Sequence, residues 1–423
     1  MYTFPIRAVI VGGGHRSDIY AEFALKDPGK LKIVGLVDPS PKRTEYLKSK
    51  YSIPEENCFS SVDELCKREK LGELIINGTM DQLHVPTAIP TLEKGYDLLL
   101  EKPLAVSQEE MDKLCEVAKK NGRAVHLCHV LRYTEFYSTI KKLILDGKIG
   151  RPISLTMNEH VAYAHMGVSF VRGKWRSRSA CFAPMLLAKS CHDLDIMTWL
   201  MAPCRPVAVS SFGSNLQFTK ENKPKGATHR CYGGCPHIDS CPYSAKSNYL
   251  EHEFWSMYAF GATEGQPLSR EEKEKSLATD NPFGICAWDF DREDNVDHQS
   301  VCVSFEGGAT ATFSMVGGAS RAQRSLHLIG TEGEIIGIFE DNTITLRKIA
   351  PHEGKWFTEK TIKAGAPNEG HAGGDMALIE SFVDILGGGE RDFRCCDLDS
   401  AADAYRIAFA AEVAKNEKRT VFL

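Results

Sequence analysis

The stretch from Ile6 to Ser17, IRAVIVGGGHRS, decides the fold of the N-terminal half. Its first six residues are mostly apolar and predict a short buried strand, and the glycine triplet predicts a tight turn into a helix. Gly12 permits the turn, and Gly14 lets the backbone approach a pyrophosphate whose charge meets the helix amides. Ser17 stands where a third Gly or Ala is common. On its own, such a triplet is more often only a turn.

A second strand candidate supplies the matching acidic residue. The apolar run from Leu31 to Val37 ends at Asp38. It lies about 20 residues beyond the glycines, where a carboxylate can accept hydrogen bonds from ribose hydroxyls. The combination predicts dinucleotide binding. A carboxylate there repels a 2′-phosphate and so favours NAD, while the nearby Lys42 and Arg43 keep NADP open.

Short apolar runs continue to alternate with helix-like segments up to about residue 130, which is typical of a parallel sheet built from βαβ units. The further strand candidates are Glu73–Ile76, Asp97–Leu100 and Ala124–Cys128. Helix starts are marked by the capping boxes Ser61 with Glu64 and Ser107 with Glu110. Residues 1–130 are therefore predicted to form a doubly wound parallel sheet, a Rossmann dinucleotide-binding domain.

The second half has a different pattern. Gln299–Phe305 and Ala309–Met315 alternate in polarity around a Glu306–Gly308 turn, and Ser325–Ile329 and Glu334–Ile338 follow. This pattern predicts an α+β domain over residues 131–423, with a large, mainly antiparallel open sheet. One helix is expected to carry Leu186 through Leu200, and another to run from Leu398 to Glu412. Residues 215–281 are rich in Gly, Pro, Lys and Glu, which indicates an insertion.

Composition excludes several classes of protein. The chain has 423 residues, is 43% hydrophobic and 25% charged, and carries a net charge of −5. Its length predicts two domains, and no apolar run approaches the roughly 20 residues of a membrane helix. The acidic balance argues against nucleic acid as a partner. The N-terminus lacks the pattern of a secretory signal, and 14 mostly scattered cysteines indicate a reducing compartment, so we expect a cytoplasmic protein.

Polar residues follow the next two strands at the carboxyl edge, where open α/β sheets bind ligands. Thr79, Asp81 and His84 follow the third strand, although Thr79 and Asp81 could equally cap a helix. Glu101-Lys102-Pro103 ends the fourth strand. Lys102 could contact cofactor and substrate oxygens, or be an ordinary solvated lysine.

The helix expected after Met185 carries a second group. Lys189 and His192 are three residues apart and should share a face, with Asp195 one turn further along. Oxidation of a carbinol removes a hydroxyl proton as well as a hydride, so a base must lie within reach of that oxygen. A histidine with a lysine and two acids around it suits this work, although a helix histidine is usually a packed or surface residue.

These motifs resemble the Gfo/Idh/MocA family of glucose-fructose oxidoreductase, inositol dehydrogenase and relatives. The similar segments are Gly12–Gly14, Asp38, Thr79–His84, Glu101–Pro103, His129–Tyr133, Gly150–Ile153, Lys189–Asp195 and Ile329–Gly333. The resemblance implies NAD(P)-dependent oxidation or reduction of a sugar, sugar derivative or cyclitol by a homodimer or homotetramer. It also implies that Lys102 orients the substrate and His192 accepts the proton. The expected cofactor contacts are Gly12, Gly14, His15, Arg16, Asp38, Thr79, His84, Glu101 and Lys102.

One position departs from the family pattern. Many relatives place Asp or Glu four residues before this histidine, where the present chain has Ala188. Either Lys189, with a pKa lowered by burial, takes part of that role as a catalytic residue, or the reaction differs. The alternatives are an NAD-dependent glycosidase or lyase that works by transient 3-keto oxidation and elimination, and a non-catalytic NAD-binding regulator.

Several further polar and aromatic residues suit a carbohydrate pocket. Aromatic and histidine side chains can pack on the apolar faces of a sugar and bond its hydroxyls. Each of them could equally be structural, and Asp375, near His371, could simply cap a helix. The substrate candidates are His165, Arg172, Trp175, Asp195 and His371.

A cysteine cluster lies in the insertion. Cys231, Cys235 and Cys241 are closely spaced, with His229 and His237 beside them. Three thiols in a coreless loop of a cytoplasmic protein indicate a structural zinc site more readily than disulfides. The fourth ligand would be one of the two histidines or a distant cysteine such as Cys286. An iron-sulfur cluster and free thiols remain alternatives.

Overall fold

The computed structural model describes residues 1–261, 268–292, 294–365 and 370–423. Its first sheet has six parallel strands in the order β3-β2-β1-β4-β5-β6. They are β1 (Ile6–Val11), β2 (Leu31–Val37), β3 (Cys58–Phe59), β4 (Leu74–Asn77), β5 (Asp97–Leu100) and β6 (Val125–Leu127). The order reverses between β1 and β4, which makes the crevice at their carboxyl ends the switch point where such sheets bind ligands.

The second sheet has nine strands in the order β14-β13-β12-β11-β7-β10-β9-β8-β15. All neighbouring pairs are antiparallel except β7 and β10, which run parallel. The strands are β7 (Pro152–Ala162), β8 (Pro206–Ser214), β9 (His298–Phe305), β10 (Thr310–Ala319), β11 (Gln323–Gly330), β12 (Gly333–Ile338), β13 (Thr343–Ile349), β14 (Phe357–Lys363) and β15 (Val421–Phe422).

The helices cover both faces of the first sheet and one face of the second. They are α1 (His15–Ala21), α2 (Phe23–Lys26), α3 (Pro41–Tyr51), α4 (Val62–Lys67), α5 (His84–Glu93), α6 (Gln108–Asn121), α7 (Glu135–Leu145), α8 (Tyr163–His165), α9 (Arg178–Cys181), α10 (Met185–Ala188), α11 (Cys191–Met201), α12 (Ser256–Phe260), α13 (Arg270–Thr279), α14 (Gly374–Leu386) and α15 (Leu398–Glu417). Helices α11 and α15 pack on each other, α11 against β7 and α15 against β8.

One helix from the C-terminal part of the chain completes the N-terminal domain. Leu378, Ile379, Phe382 and Val383 of α14 are buried in the same apolar cluster as Ile6 of β1. Helix α14 therefore joins the core of the domain expected over residues 1–130, which joins the two halves of the molecule through packing. The domain boundaries expected from the sequence remain a prediction.

The fold expected from the sequence is confirmed. Strands β1, β2 and β5 have the bounds predicted for them, and residues 306–308 form the predicted turn between β9 and β10. The prediction of a single helix from Leu186 to Leu200 is wrong, because the helix is interrupted between α10 and α11. Lys189 has φ −112° and ψ −57° there and lies outside both helices. Lys189 and His192 consequently do not share one helix face.

The insertion is the least regular part of the chain. Between Asn215 and Asn281 the described residues form short helices and turns without a sheet strand. A small apolar cluster that includes Val168, Tyr249 and Leu277 holds them together. Its other fully buried members are Cys231, Ala245, Leu250 and Ala259. The insertion thus has little core of its own.

Candidate active site

The glycine turn has the geometry of a dinucleotide cradle. Gly12 has φ +80°, and a Cβ added to it would meet the backbone nitrogen of Thr79 at 2.8 Å. A Cβ on Gly14 would meet only the carbonyl oxygen of Gly78, at 3.9 Å, so the space beside this glycine is open. Gly14 is also the N-cap of α1, whose first amides point out of the turn. These residues fit a pyrophosphate against the helix start.

Asp38 organises the ribose side of this cradle. Its carboxylate is buried and accepts 2.7 Å hydrogen bonds from the backbone N–H groups of Gly13 and Ser40. An Arg43 nitrogen lies 3.5 Å from the same carboxylate. The oxygen that accepts from Ser40, Oδ1, has a second lone pair for a ribose hydroxyl. The arrangement fits NAD and leaves a cation close to where a 2′-phosphate would lie.

Arg16, expected to contact the cofactor, is instead held by two carboxylates. Its guanidinium donates to Glu101 at 2.7 Å and to Asp375 at 2.6 Å, and it also contacts Tyr20. Burial alone would raise the pKa of Glu101, but the cations of Arg16 and Lys102 hold it below its ordinary value. Arg16 and Glu101 therefore link the first domain to α14 and orient the loop that carries Lys102. His15, at the first position of α1, is exposed.

His84 and Thr79 form a brace beneath this loop. The two ring nitrogens of His84 lie 2.6 Å from the carbonyl oxygen of Pro103 and 3.1 Å from that of Thr79. The ring is fully buried, and the Thr79 hydroxyl donates to Asn77 at 2.9 Å. Both ring nitrogens of His84 thus face protein carbonyls, and its contact with the cofactor stays a prediction. His84 supports the Glu101-Lys102-Pro103 segment.

Lys102 reaches across to the second domain. Its amine donates a 2.8 Å hydrogen bond to the carbonyl oxygen of Ala188 and lies 5.6 Å from the centre of the Trp175 ring. The Trp175 indole N–H donates in turn to Asp81 at 3.0 Å. Trp175 therefore fixes one wall beside the Lys102 amine.

His192 is the second residue of α11 and lies in the wall of the crevice. It is 8% exposed, and its Nδ1 is buried without a hydrogen-bond partner among the described residues. Burial, with the nearby amine of Lys102, holds the pKa of His192 well below its ordinary value. The ring centre lies 5.4 Å from that of His129 and 6.2 Å from that of His371. His192 is thus a neutral imidazole able to accept a proton.

The buried charges beneath His192 were not anticipated from the sequence. Glu159 of β7 pairs with Lys189 and Arg324, and Arg324 also binds Asp193 at 2.8 Å. The Ser190 hydroxyl donates to Glu159 at 3.2 Å. Glu159 and Arg324 lie directly opposite each other in the β7–β11 register. A correct prediction of how these strands pair would therefore have predicted their contact.

This ion-pair cluster changes the interpretation of Lys189. Burial lowers the pKa of Lys189, as expected, and the neighbouring Arg324 lowers it further. Its amine is nevertheless committed to Glu159. Burial also raises the pKa of Asp193 to about 8 despite the contact with Arg324. The cluster fixes the segment from Lys189 to Asp193 and so fixes His192.

Two of the substrate candidates are occupied by protein partners. Asp195 forms a fully buried pair with Arg132, at 2.6 and 2.8 Å. Arg172 donates to the carbonyl oxygens of Ile285 and Tyr243 and to the Tyr249 hydroxyl. Substrate contacts by these two residues stay predictions.

Two candidates remain at the crevice, beside Trp175. His165 stacks on Trp255 of the insertion, with ring centres 4.3 Å apart, and burial lowers its pKa to about 3. The His371 Nδ1 atom lies 2.9 Å from a carboxylate oxygen of Asp375, which is hydrogen-bond distance. Burial alone would raise the pKa of Asp375, but His371 and Arg16 lower it to about 2. Trp255 and the nearby Tyr258 were missed, because nothing in the sequence shows where an insertion packs.

The predicted metal ligands come together as a group. Cys231, Cys235 and Cys241 line one cavity, and Cys286 completes its wall. In the part of the chain that the structure describes, one group of His, Cys, Asp and Glu ligand atoms lies mutually within 4.8 Å, formed by His129, Asp195 and Cys396. That group is engaged elsewhere, since Asp195 pairs with Arg132 and the His129 Nε2 bonds the Tyr405 hydroxyl at 3.0 Å.

A nucleotide cradle that opens onto an amine and a neutral imidazole defines the class of enzyme: an NAD(P)-dependent dehydrogenase acting on CH–OH groups. Comparison with known proteins agrees. The NAD-binding Rossmann domain of an oxidoreductase family matches residues 6–129, and the C-terminal alpha/beta domain of the same family matches residues 141–423. The chain belongs to the Gfo/Idh/MocA family of oxidoreductases.

Individual relatives are distant. The oxidoreductase YteT of Bacillus subtilis is 26% identical over 390 residues, covering 85% of this chain and 86% of YteT. Inositol 2-dehydrogenase of Salmonella typhimurium is 25% identical over 197 residues, which is 46% of this chain and 54% of that enzyme. The structure of levoglucosan dehydrogenase with NADH and levoglucosan superposes with a TM-score of 0.71 at 16% identity, covering 99% of each chain.

Proposed function

We propose that the protein transfers a hydride between a nicotinamide cofactor and a hydroxyl carbon of a sugar, sugar derivative or cyclitol. NAD is the proposed cofactor, and NADP stays an alternative. The observation that carries this proposal is the buried neutral imidazole of His192 beside the Lys102 amine, at the carboxyl edge of the dinucleotide-binding sheet. The bound nicotinamide supplies the hydride acceptor or donor. The protein itself must move the hydroxyl proton and stabilise the oxygen.

His192 is suited to move the proton. A neutral imidazole can take it from the hydroxyl as the hydride leaves, and can return it in the reverse direction. Its low pKa keeps the ring unprotonated at neutral pH. The Lys102 amine, whose present partner is a backbone carbonyl, can donate to the substrate oxygen and stabilise the negative charge that develops there.

The walls of the crevice support a carbohydrate substrate. His165, Trp255 and Trp175 present aromatic faces, and such faces pack on the apolar side of a sugar ring. His371 adds an imidazole that can bond a ring hydroxyl. Two relatives carry names that specify a cyclitol and an anhydrosugar as substrates. For Lys189 we propose a positioning role through its pair with Glu159.

The test is a panel of polyols and sugars incubated with the full chain and NAD or NADP. Accumulation of reduced nicotinamide with one of them supports the proposal. His192→Asn and Lys102→Ala should reduce that signal at least about 100-fold while the proteins still bind NAD. Failure with every member of a broad panel, together with tight NAD binding, counts against net oxidation.

A redox-neutral glycosidase or lyase is the second candidate. The observation in its favour is that position 188 holds Ala, where many relatives place a carboxylate, and that His192 Nδ1 has no hydrogen-bond partner among the described residues. Transient oxidation of a sugar at C3 would acidify the C2 proton, elimination would follow, and the hydride would return. Cleavage of aryl glycosides without net NADH, with solvent exchange at C2, would identify this reaction.

Oligomerisation and location are part of the proposal. In the described ranges no helix covers one face of the second sheet, which includes Thr156, Thr312, Ser314, Val316 and Ile336. Such a face can pair with a second copy, in keeping with the expected homodimer or homotetramer. Among the described residues no helix is long and apolar enough to cross a membrane. Light scattering would give the mass of the assembly in solution. The cytoplasmic location stays a prediction.

A further inference from the structure

Four cysteine side chains meet in the insertion although one of them is distant in sequence. Antiparallel pairing between Arg230 and Ile285 sets the two segments side by side. The Cys231 N–H donates to Gly284 at 3.0 Å, and the Cys286 N–H donates to His229 at 2.8 Å. Cys231, Cys235, Cys241 and Cys286 consequently line a single cavity of about 20 Å³.

None of the four cysteines forms a disulfide bond. The Ala245 N–H donates to the sulfur of Cys231 at 3.5 Å. Hydrogen bonds of this kind stabilise thiolates that bind metals.

A buried cation, Arg172, lines the same cavity, and none of its hydrogen-bond partners among the described residues is acidic. Arg172 is 2% exposed, and its three hydrogen-bond partners are the carbonyl oxygens of Ile285 and Tyr243 and the Tyr249 hydroxyl. All three partners are neutral. Since an unpaired buried charge is costly, the site requires an anion next to Arg172.

The two nearby histidines are occupied elsewhere. His229 Nδ1 lies 3.0 Å from Asp289, and its side chain is mostly exposed. His237 Nε2 lies 2.9 Å from the carbonyl oxygen of Lys225. One ring nitrogen of each histidine is therefore engaged, whereas all four cysteines line the cavity.

The spacing of the sulfurs argues against a single zinc ion. Tetrahedral zinc with 2.3 Å bonds requires sulfurs about 3.8 Å apart. No three of these sulfurs lie mutually within 4.8 Å, because His129, Asp195 and Cys396 form the one such ligand group found among the described residues. Wider spacing around a shared cavity suits a core with several metal atoms.

We propose that Cys231, Cys235, Cys241 and Cys286 bind an iron-sulfur cluster, with Arg172 as its buried counter-charge. Four cysteine ligands are the common complement of [2Fe–2S] and [4Fe–4S] clusters. The cluster joins segments of the insertion that have little apolar core. Through the Arg172–Tyr249 contact it also supports the part of the insertion that places Trp255 on His165.

The test begins with metal and sulfide analysis of the full chain purified without oxygen. Iron and acid-labile sulfide in equal molar amounts, with visible absorption that bleaches on reduction, are the expected result. Zinc without sulfide, or a metal-free protein with four titratable thiols, would overturn the proposal. This measurement does not depend on any variant folding correctly.

Variants then assign the ligands. Cys286→Ser should lose most of the iron, whereas Cys302→Ser, at an exposed cysteine of β9, should keep it. Arg172→Gln removes the charge but keeps hydrogen-bond donors, and it should make the reduction potential of the cluster more negative. Full iron content in Cys286→Ser, or an unchanged potential in Arg172→Gln, contradicts the corresponding assignment.

Discussion

The Lys102 amine donates a 2.8 Å hydrogen bond to the carbonyl oxygen of Ala188, four residues before His192. This contact joins the last motif of the nucleotide-binding domain to the segment that carries the proposed base. The amine consequently lies at the junction of the two domains, where a substrate hydroxyl can replace the carbonyl as its acceptor. The first prediction follows from this position.

Replacing Lys102 with Ala should lower kcat/KM about 100- to 1000-fold, because the substrate oxygen loses a charged donor in the transition state. NAD affinity, measured by fluorescence titration, should change far less. Lys113→Ala, at an exposed lysine of α6, is the matched control and should behave as wild type. Wild-type turnover in Lys102→Ala would show that Lys102 takes no part in the reaction.

The pH profile of oxidation should reflect the depressed pKa of His192. The neutral imidazole is the active form, so kcat/KM should stay level as the pH falls through about 6.5 and decline only at lower pH. His192→Asn should cost about 100- to 10,000-fold and remove the acidic limb. A midpoint at the ordinary histidine value would show that another group titrates.

Breaking the pair between Arg132 and Asp195 should destabilise the protein. Asp195→Asn leaves a buried guanidinium without its counter-charge, which costs about 3–5 kcal/mol of unfolding free energy. The double variant Arg132→Met, Asp195→Leu should be less destabilised than Asp195→Asn in urea denaturation. If Asp195→Asn is instead stable and has a raised KM for the substrate, Asp195 contacts the substrate.

Cofactor choice should depend on Asp38. Asp38→Ser removes the carboxylate that lies 3.5 Å from Arg43 and bonds the Gly13 N–H. The ratio of NADP to NAD affinity should rise at least about tenfold, equivalent to 1.4 kcal/mol. Calorimetric titration with both nucleotides measures the ratio. An unchanged ratio would mean that Asp38 does not face the ribose.

Stability should fall between about pH 6.5 and pH 5, before most carboxylates titrate. Burial lowers the pKa of His126 to about 3, of His129 to about 4 and of His165 to about 3, and holds that of His192 well below its ordinary value. The unfolded chain binds protons in this range that the folded chain does not. Each such histidine therefore removes about 1.4 kcal/mol of stability per pH unit as the pH falls.

One group acts in the opposite direction. The raised pKa of Asp193, about 8, makes the folded chain bind a proton that the unfolded chain releases, so it adds stability as the pH falls. Four histidines outweigh one carboxyl group, and the urea midpoint should decrease across the interval. A midpoint that rises or stays constant would contradict the assignment of these histidines as buried and neutral.

The sequence predicted the first domain well because its signals are local. Continuous apolar strands, the glycine turn and the capping residues act within a few positions, and β1, β2 and β5 were predicted with their correct bounds. Lys102 and His192 were found through motifs at strand ends and in a helix. These signals do not require knowledge of tertiary packing.

The contacts that sequence patterns did not indicate lie between distant segments. Asp195 and Arg172 have the residue types of a substrate site, but in the structure Asp195 pairs with Arg132 and Arg172 bonds residues of the insertion. The buried cluster of Glu159 and Arg324 depends on the β7–β11 register, which alternation alone does not fix. Trp255 reaches the crevice only through the folding of the insertion.

The most direct test of the account is a single-turnover experiment with the NAD-loaded enzyme and each sugar or cyclitol of the panel. Reduced nicotinamide should appear within one turnover for wild type, persisting in a dehydrogenase and decaying in a redox-neutral enzyme, and it should be absent in His192→Asn. If no panel member forms reduced nicotinamide, or if His192→Asn forms it as fast as wild type, hydride transfer assisted by His192 is contradicted.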